Sequence, residues 1–516
     1  MNTETGSLEA EKNEQELIYS QALTDTVDFY NKHEQTFKAF EEKVGFDVWF
    51  LQHFRVYFDY REILLNQHKA KQQAASLDTT KKSSGSSIAG KLGGGLKIIQ
   101  EFLYMLLAFR PVSNPKSGVV MLADSYTNNQ DVYGALEDEF QVLPNREVFN
   151  PKKELPAYRK FRNSAPGSDQ LLVSYLFGGT VIKDFRMFRA AYNELKKQLL
   201  SVNHSEKSEA AIANLLVQNQ PSLYIYYARF RAFSKYFKQA EVKGVLMRDE
   251  NSPQQKVIQY AARLNEVKTF GYQHGNIYQF NPAYIYGQYK TKPQLPDLTF
   301  VWGQSSFEML LSKGGFAESE VCVTGRIDVT RQEARKNPKL DQDKKIILYA
   351  TQPQHDTEMR VRHLEDVLLA AKELEQDYCL VIRPHPAEKD DAFFTQIAEK
   401  VGATNYFIDR FSDLNTHMQV CACLITGFST VGTEFVPFFK PLLVMDYLNQ
   451  DLMGWINQGV GEQILSRQDL VNALRTKTEV NKERHQKFIE KHFFKMDGKA
   501  AQRISQAILE RTNAPI

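Results

Sequence analysis

Between residue 9 and about residue 80, apolar positions recur at helical spacing. Leu17, Ala22, Val27, Phe37, Phe40, Val44, Val48, Phe50, Phe54 and Phe58 stand among many Glu, Lys and Gln. This predicts a helical N-terminal region. Residues 81–95, KKSSGSSIAGKLGGG, then turn to Gly and Ser and predict a linker or mobile loop. The GKLGGG within them is no Walker loop, since the Gly-Lys-Ser/Thr ending and a preceding strand are both missing. Leu96–Phe109 is intensely apolar and reads as a core helix feeding the next domain, with an in-plane membrane helix as the competing reading.

From there the pattern alternates. Strands are expected at Val119–Ala123, Gln141–Leu143 and Gln170–Phe177, and helices near Phe185–Leu200, Ala210–Gln218 and Leu223–Phe237. Lys243–Met247 opens a strand-helix-strand unit: a helix runs from Pro253 to about Asn265, and the second strand is Val267–Gly271. The Pro-containing LPDLTFVWG at 295–303 reads as a boundary. Beyond it, strands at Ile346–Ala350, Cys379–Ile382, Ala422–Ile425 and Pro441–Met445 alternate with helices at Met359–Glu375, Asp391–Val401 and Thr430–Phe435. Parallel strands with crossover helices make a doubly wound sheet covered on both faces. The fold class expected is therefore α/β, with two Rossmann-like domains facing across a cleft and a helical N-terminal extension. The divisions are 1–95 (helical, ending in the Gly/Ser loop), 96–297 (N-terminal domain), 298–480 (C-terminal domain) and 481–516 (closing helices, with a return to the N-domain left open).

Composition narrows the class. At 516 residues the chain is too long for one core, and 42% hydrophobic with 24% charged residues excludes wholesale disorder. A net charge of +2 provides no basic field, so nucleic acid is not expected as a partner. Cys322, Cys379, Cys421 and Cys423 lack zinc-ligand spacing; the last three fall in apolar runs, as core residues of a reducing compartment do. The polar N-terminus lacks the order of a secretory signal, and no apolar run is long enough to span a bilayer. The expected location is cytoplasmic, at most peripheral to the inner membrane.

Candidate chemistry gathers at strand ends. Arg383-Pro384-His385-Pro386 follows an apolar strand, and its donors suit a phosphate or another oxyanion. Thr426-Gly427-Phe428-Ser429-Thr430 follows another strand and opens a helix: Gly427 allows a tight turn, Ser429 or Thr430 can cap, and the helix end attracts a diphosphate. Glu434, one turn further on, suits a ribose diol. In the first half, Gln273-His274-Gly275 brings an imidazole to a strand tip, and Asp249 with Glu250 forms an acidic pair at the neighbouring one.

Together, VLMRDENSP, GYQHG, LPDLTFVWG, VCVTGRID, IILYATQP, LVIRPHP, LITGFSTVGTE, FKPLLVMD and the terminal FFKMDGKAAQRISQAI resemble bacterial surface and capsular polysaccharide glycosyltransferases of the GT-B fold. More distantly they resemble the CDP-glycerol glycerophosphotransferases and the UDP-N-acetylglucosamine 2-epimerases. The resemblance covers roughly residues 243–508. It implies a nucleotide-sugar donor held by the C-terminal domain through Arg383, His385, Gly427, Ser429, Thr430 and Glu434. It also implies catalytic groups among His274, Asp249 and Glu250, and a cleft lined by Gln273, Gly275 and Gly325. No bound metal or resident cofactor is implied.

The acceptor would be a cell-surface glycan, free or lipid-linked, and other glycan-assembly proteins are conceivable partners. The function implied first is glycosyl transfer. The alternatives are polyol-phosphate transfer of the CDP-glycerol type and a non-catalytic GT-B scaffold. Against the former, the glycerophosphotransferases usually show Trp-His-Gly and Thr-Asp-Tyr-Ser-Ser, where this chain has Gln273-His274-Gly275 and Thr426-Gly427-Phe428-Ser429-Thr430.

Overall fold

Short aliphatic runs become two separate parallel sheets. The computed structural model describes residues 2–76, 120–122, 142–144, 181–201, 207–218, 220–239, 242–327, 344–352, 357–386, 388, 390–410, 412, 414–447, 449–476 and 479–512. The Gly/Ser stretch 81–95, the apolar segment Leu96–Phe109 and the strand expected at Gln170–Phe177 lie outside them.

The first sheet contains β1 (Val120–Leu122), β2 (Val142–Pro144), β3 (Gly244–Met247), β4 (Lys268–Tyr272), β5 (Leu298–Val301) and β6 (Val321–Val323), in the order β2-β1-β3-β4-β5-β6. Every pairing is parallel. The second contains β7 (Lys345–Ala350), β8 (Tyr378–Arg383), β9 (Tyr406–Ile408), β10 (Cys423–Thr426), β11 (Leu442–Met445) and β12 (Glu462–Ile464), in the order β12-β11-β10-β7-β8-β9 and again wholly parallel. This is the Rossmann order, in which the chain works outward from β7 to one edge and then from β10 to the other. Buried strands explain the unbroken apolar runs: all four residues of β3, β5, β10 and β11 are buried, as sheets covered on both faces require.

The chain divides into an N-unit (Ile18–Trp302, Ser306–Asp328 and Asp497–Ile516) and a C-unit (Met1–Leu17, Gly303–Ser305 and Val329–Met496). The segment 295–303, read from sequence as a boundary, contains β5, and β6 follows in the same sheet. Its proline marks the loop into a strand, not a linker. The short strands β9 and β12 went unread because they are mostly half-buried and leave no aliphatic run. The helix Ala500–Thr512 belongs to the N-unit, where Arg503 Nε donates to the Thr324 carbonyl at 2.6 Å and Arg511 to that of Ser319 at 3.0 Å.

The helical N-terminal region is the hairpin α1 (Asn2–Val44) and α2 (Val48–Ser76). Gly45 ends α1 at φ +95°, a conformation that side chains resist, and the next turn starts α2. Asp47 caps α2, its carboxylate accepting from the Trp49 N–H at 2.7 Å and the Phe50 N–H at 3.3 Å. Phe29, Tyr30, Phe37, Trp49 and Phe50 pack between the helices, and Tyr30 and Phe50 continue onto Tyr289, with ring centroids 5.4 and 5.1 Å away. Asn31 adds a backbone clamp, donating to the Gln288 carbonyl (3.2 Å) and accepting the Lys290 N–H (2.8 Å). From Ile18 onward, then, the hairpin is built into the core of the N-unit. Among the described residues, no helix is long and apolar enough to cross a membrane.

Burial raises the Asp47 carboxyl from 3.8 to about 7, because desolvation outweighs its two cap hydrogen bonds. An acid raised in the fold stabilises most when protonated, so its contribution is lost as pH rises from the unfolded to the folded value. Asp47→Asn keeps the cap and removes the charge. Its urea midpoint, followed by tryptophan fluorescence, should gain on wild type between pH 4 and pH 7 by at most about 1.4 kcal/mol per pH unit. Parallel pH curves would contradict this reading.

Candidate functional site

Open α/β sheets bind ligands at the carboxyl ends of strands, where strand order reverses. In the C-unit that place is between β7 and β10. β7 runs out into Thr351-Gln352 and β10 into Gly427-Phe428. Three hydrogen bonds tie the loops together. Thr426 Oγ1 donates to the Ala350 carbonyl (3.0 Å), the Phe428 N–H donates to Gln352 Oε1 (2.9 Å), and the His385 N–H donates to Thr351 Oγ1 (3.1 Å). The end of β7 therefore holds both sequence motifs at once, and a small recess between them is lined by Thr351, Gln352, Arg360, His363, Glu388 and Gly427.

Beneath His385 lies a carboxylate that sequence reasoning missed. The Glu388 side chain is 3% exposed; its Oε2 accepts from the His385 N–H at 3.0 Å and from the Thr351 hydroxyl, while Oε1 accepts from Arg360 Nε and Nη2 at 2.9 and 2.8 Å. Arg360 in turn stacks on Phe393 at 3.7 Å. The Glu388 N–H closes the turn onto the His385 carbonyl (2.9 Å), and Arg410 donates to the Glu388 carbonyl. So the Arg-Pro-His-Pro turn is shaped by a buried carboxylate engaged on both oxygens and paired with a partly exposed arginine, and His385 itself is partly exposed.

Arg383 departs from expectation. Its Nη1 donates to the carbonyls of Asp409 (3.1 Å) and Ser412 (2.8 Å), with the Asp409 carboxylate 4.0 Å away. Because β9 lies on the side of β8 opposite to β7 and β10, this nitrogen pins the loop after β9.

Ser429 caps the helix Thr430–Phe435, accepting the Val431 N–H at 3.4 Å; its side chain is buried, whereas Thr430 and Glu434 are partly exposed. Gly432 serves packing: a Cβ there would lie 2.4 Å from the buried Trp455 ring, whose Nε1 donates to Thr433 Oγ1 at 3.0 Å.

In the N-unit, His274 at the β4 tip is exposed, with its N–H on the Tyr284 hydroxyl (3.2 Å), and Gly275 turns the chain at φ +74°. Gln273 was expected to line a cleft. It is instead buried and cross-braces β4 to β5, donating to the Gly275 carbonyl and accepting the Trp302 N–H, each at 2.9 Å. Glu250 was expected as a candidate base. It is 2% exposed, packs against Gly271 and leaves Oε2 without a partner among the described residues; burial pushes its carboxyl from 4.5 up to about 8, against the attraction of Lys256. Asp249 is partly exposed, its backbone fixed by Gln255 and Ser252. Gly325, at φ +86° after β6, precedes Arg326, which stacks on Trp302 at 4.7 Å. Among the described residues no group of His, Cys, Asp and Glu is placed to hold a metal ion.

Every strand-end residue named in the C-unit falls within one matched stretch. Residues 313–510 match the family model for CDP-Glycerol:Poly(glycerophosphate) glycerophosphotransferase. The match falls on the alternative that the sequence analysis placed second. No curated protein sequence matches the chain. Similar solved structures include the wall teichoic acid polymerase TagF (15% identity, TM-score 0.47, covering 83% of this chain and 99% of that one). A putative UDP-N-acetylglucosamine 2-epimerase from Listeria monocytogenes is also similar (17%, 0.48, 78% and 98%), as is the UDP-GlcNAc 2-epimerase from Neisseria meningitidis bound to UDP-GlcNAc (13%, 0.47, 77% and 100%).

Two substitutions separate architecture from chemistry. Glu388→Ala strands Arg360 and should cost the C-unit about 3–5 kcal/mol, read as a lowered urea midpoint. Gly432→Ala should cost about 1–3 kcal/mol through overpacking against Trp455. Wild-type midpoints in both would remove the packing argument.

Proposed function

We propose that this protein transfers a polyol phosphate, of the glycerol phosphate type, from a CDP-activated donor to a growing cell-surface polymer. The family match over residues 313–510 carries the reading, because it includes the loops after β7, β8 and β10. In this chemistry an acceptor hydroxyl oxygen attacks the donor's outer phosphorus. The bond from that phosphorus to the bridging oxygen breaks, CMP leaves, and the hydroxyl proton passes to a base.

Catalysis of such a step rests on positioning and on stabilising the phosphate charge as it develops. We assign the backbone N–H groups around Gly427–Thr430 to the diphosphate, His385 to the transferring or leaving phosphate, and Glu434 to the ribose. Among the three bases considered, exposed His274 is preferred over Asp249, and enclosed Glu250 is set aside. Arg383 is reassigned to holding the loop beside His385. No resident cofactor or metal enters the proposal.

Glycosyl transfer from a nucleotide sugar is kept as a second reading because Gly427 stands where the glycerophosphotransferases usually carry Asp. Label in the donor's outer phosphate separates the two: polyol-phosphate transfer moves it into polymer, whereas sugar transfer leaves it on the nucleotide.

With CDP-glycerol as donor, phosphorus label should enter the polymer, and CDP-glycerol should raise the melting temperature, by the equivalent of about 2.7 kcal/mol at a hundredfold excess over Kd. Stabilisation by UDP-sugars alone, with unlabelled polymer, would favour the second reading. His385→Ala and Glu434→Ala should each lower turnover or donor affinity by about tenfold or more while leaving the fold intact. Wild-type kinetics in both would remove these assignments.

A further inference from the structure

The α1–α2 hairpin carries a cation whose surroundings call for an anion. Arg61, on α2, lies with its guanidinium carbon 4.8 Å from the Tyr19 ring, 4.6 Å from Phe58 and 5.8 Å from Tyr57. It is partly buried; among the described residues its Nε has no hydrogen-bond partner and no carboxylate pairs with it, and the Tyr57 phenol, a polar side chain beside it, is a neutral group raised by burial against the pull of the Arg61 charge. Aromatic rings attract a guanidinium through their faces but accept few of its five N–H donors. The natural complement is a phosphate or carboxylate meeting the fork edge-on.

Placement favours one kind of anion. Tyr278 and Phe280 follow His274 on the loop after β4. Phe280 packs edge-to-face on Tyr19 (6.3 Å), and burial raises the Tyr278 phenol while the Arg61 charge opposes the shift. The same loop is fastened to α2, where His53 Nε2 lies 2.9 Å from the Pro282 carbonyl oxygen. Phe54, 40% exposed, packs on Phe58 at 4.7 Å and extends the aromatic surface beside the guanidinium. Apolar area for a polyol's methylenes next to a fork for its phosphate, on a hairpin packed against the loop that starts at His274, matches a phosphodiester-linked polyol chain.

Resting on the polyol-phosphate reading above, we propose that Arg61, with Tyr19, Phe58 and Phe54, is a subsite for a phosphodiester of the acceptor polymer.

The test uses the full chain and a synthetic poly(glycerol phosphate) oligomer, titrated calorimetrically against wild type, Arg61→Gln and Arg61→Lys. Arg61→Gln should weaken oligomer binding by about tenfold or more. It should raise the KM for the oligomer with kcat and the donor KM unchanged. Arg61→Lys keeps the charge without the fork and should fall between; it decides the matter if Arg61→Gln fails to fold. Oligomer binding at wild-type strength in the folded variants overturns the subsite. So does Arg61-dependent binding to phosphatidylglycerol vesicles with oligomer binding untouched. Arg61-dependent oligomer binding in a protein that proves inert toward CDP-glycerol would support the subsite and retire the donor assignment, so the two claims fail separately.

Discussion

The buried contact between Glu388 and the end of β7 is the constraint on which the candidate site depends. A carboxylate removed from water must be satisfied on both oxygens, and here Arg360 takes one while the His385 N–H and the Thr351 hydroxyl take the other. Those partners belong to three different stretches of chain. Satisfying the charge therefore sets the shape of the Arg-Pro-His-Pro turn and joins it to β7. Gln352 and Thr426 extend the same fastening to the Gly427 turn. The loops that would meet a diphosphate are held at a common strand edge before any ligand arrives, which is what electrostatic preorganisation requires.

In the N-unit, burial of polar groups does structural work where the sequence suggested chemistry. Glu250 and Lys256 are both nearly inaccessible, and each is shifted toward its neutral form chiefly by desolvation, with the partner's charge opposing the shift. Gln273 braces two strands, and Asp47 caps α2. The exposed titratable group at the β4 tip is His274, and the loop that begins there is anchored to the helical hairpin by His53 and by the Tyr19–Phe280 contact.

Much of the fold was legible because parallel strands buried on both faces leave continuous aliphatic runs. VLM at 245–247, ILYA at 347–350 and LVI at 380–382 are all of this kind. A half-buried edge strand such as β9 leaves no such trace, and the strand at 298–301 was obscured by the proline before it. Within the site, Gly427, Ser429 and His385 were legible from their places after strands. Thr351 and Gln352 could have been found in the same way, since they follow the central strand at the reversal of sheet order. Glu388 and Arg360 could not: twenty-eight residues apart, their pairing is made only by tertiary packing. Arg383 and Glu250 were assigned from residue type and strand position, and neither reveals which way a side chain turns.

The most direct measurement is a crystal structure of the protein with CDP bound. The diphosphate should lie on the Gly427–Thr430 turn, at the carboxyl ends of β7 and β10, with the Thr351–Glu388 and Gln352–Phe428 contacts kept and His385 within hydrogen-bonding reach of a phosphate oxygen. Nucleotide bound at any other strand edge, or bound there only after the Glu388 contacts have broken, would contradict the account.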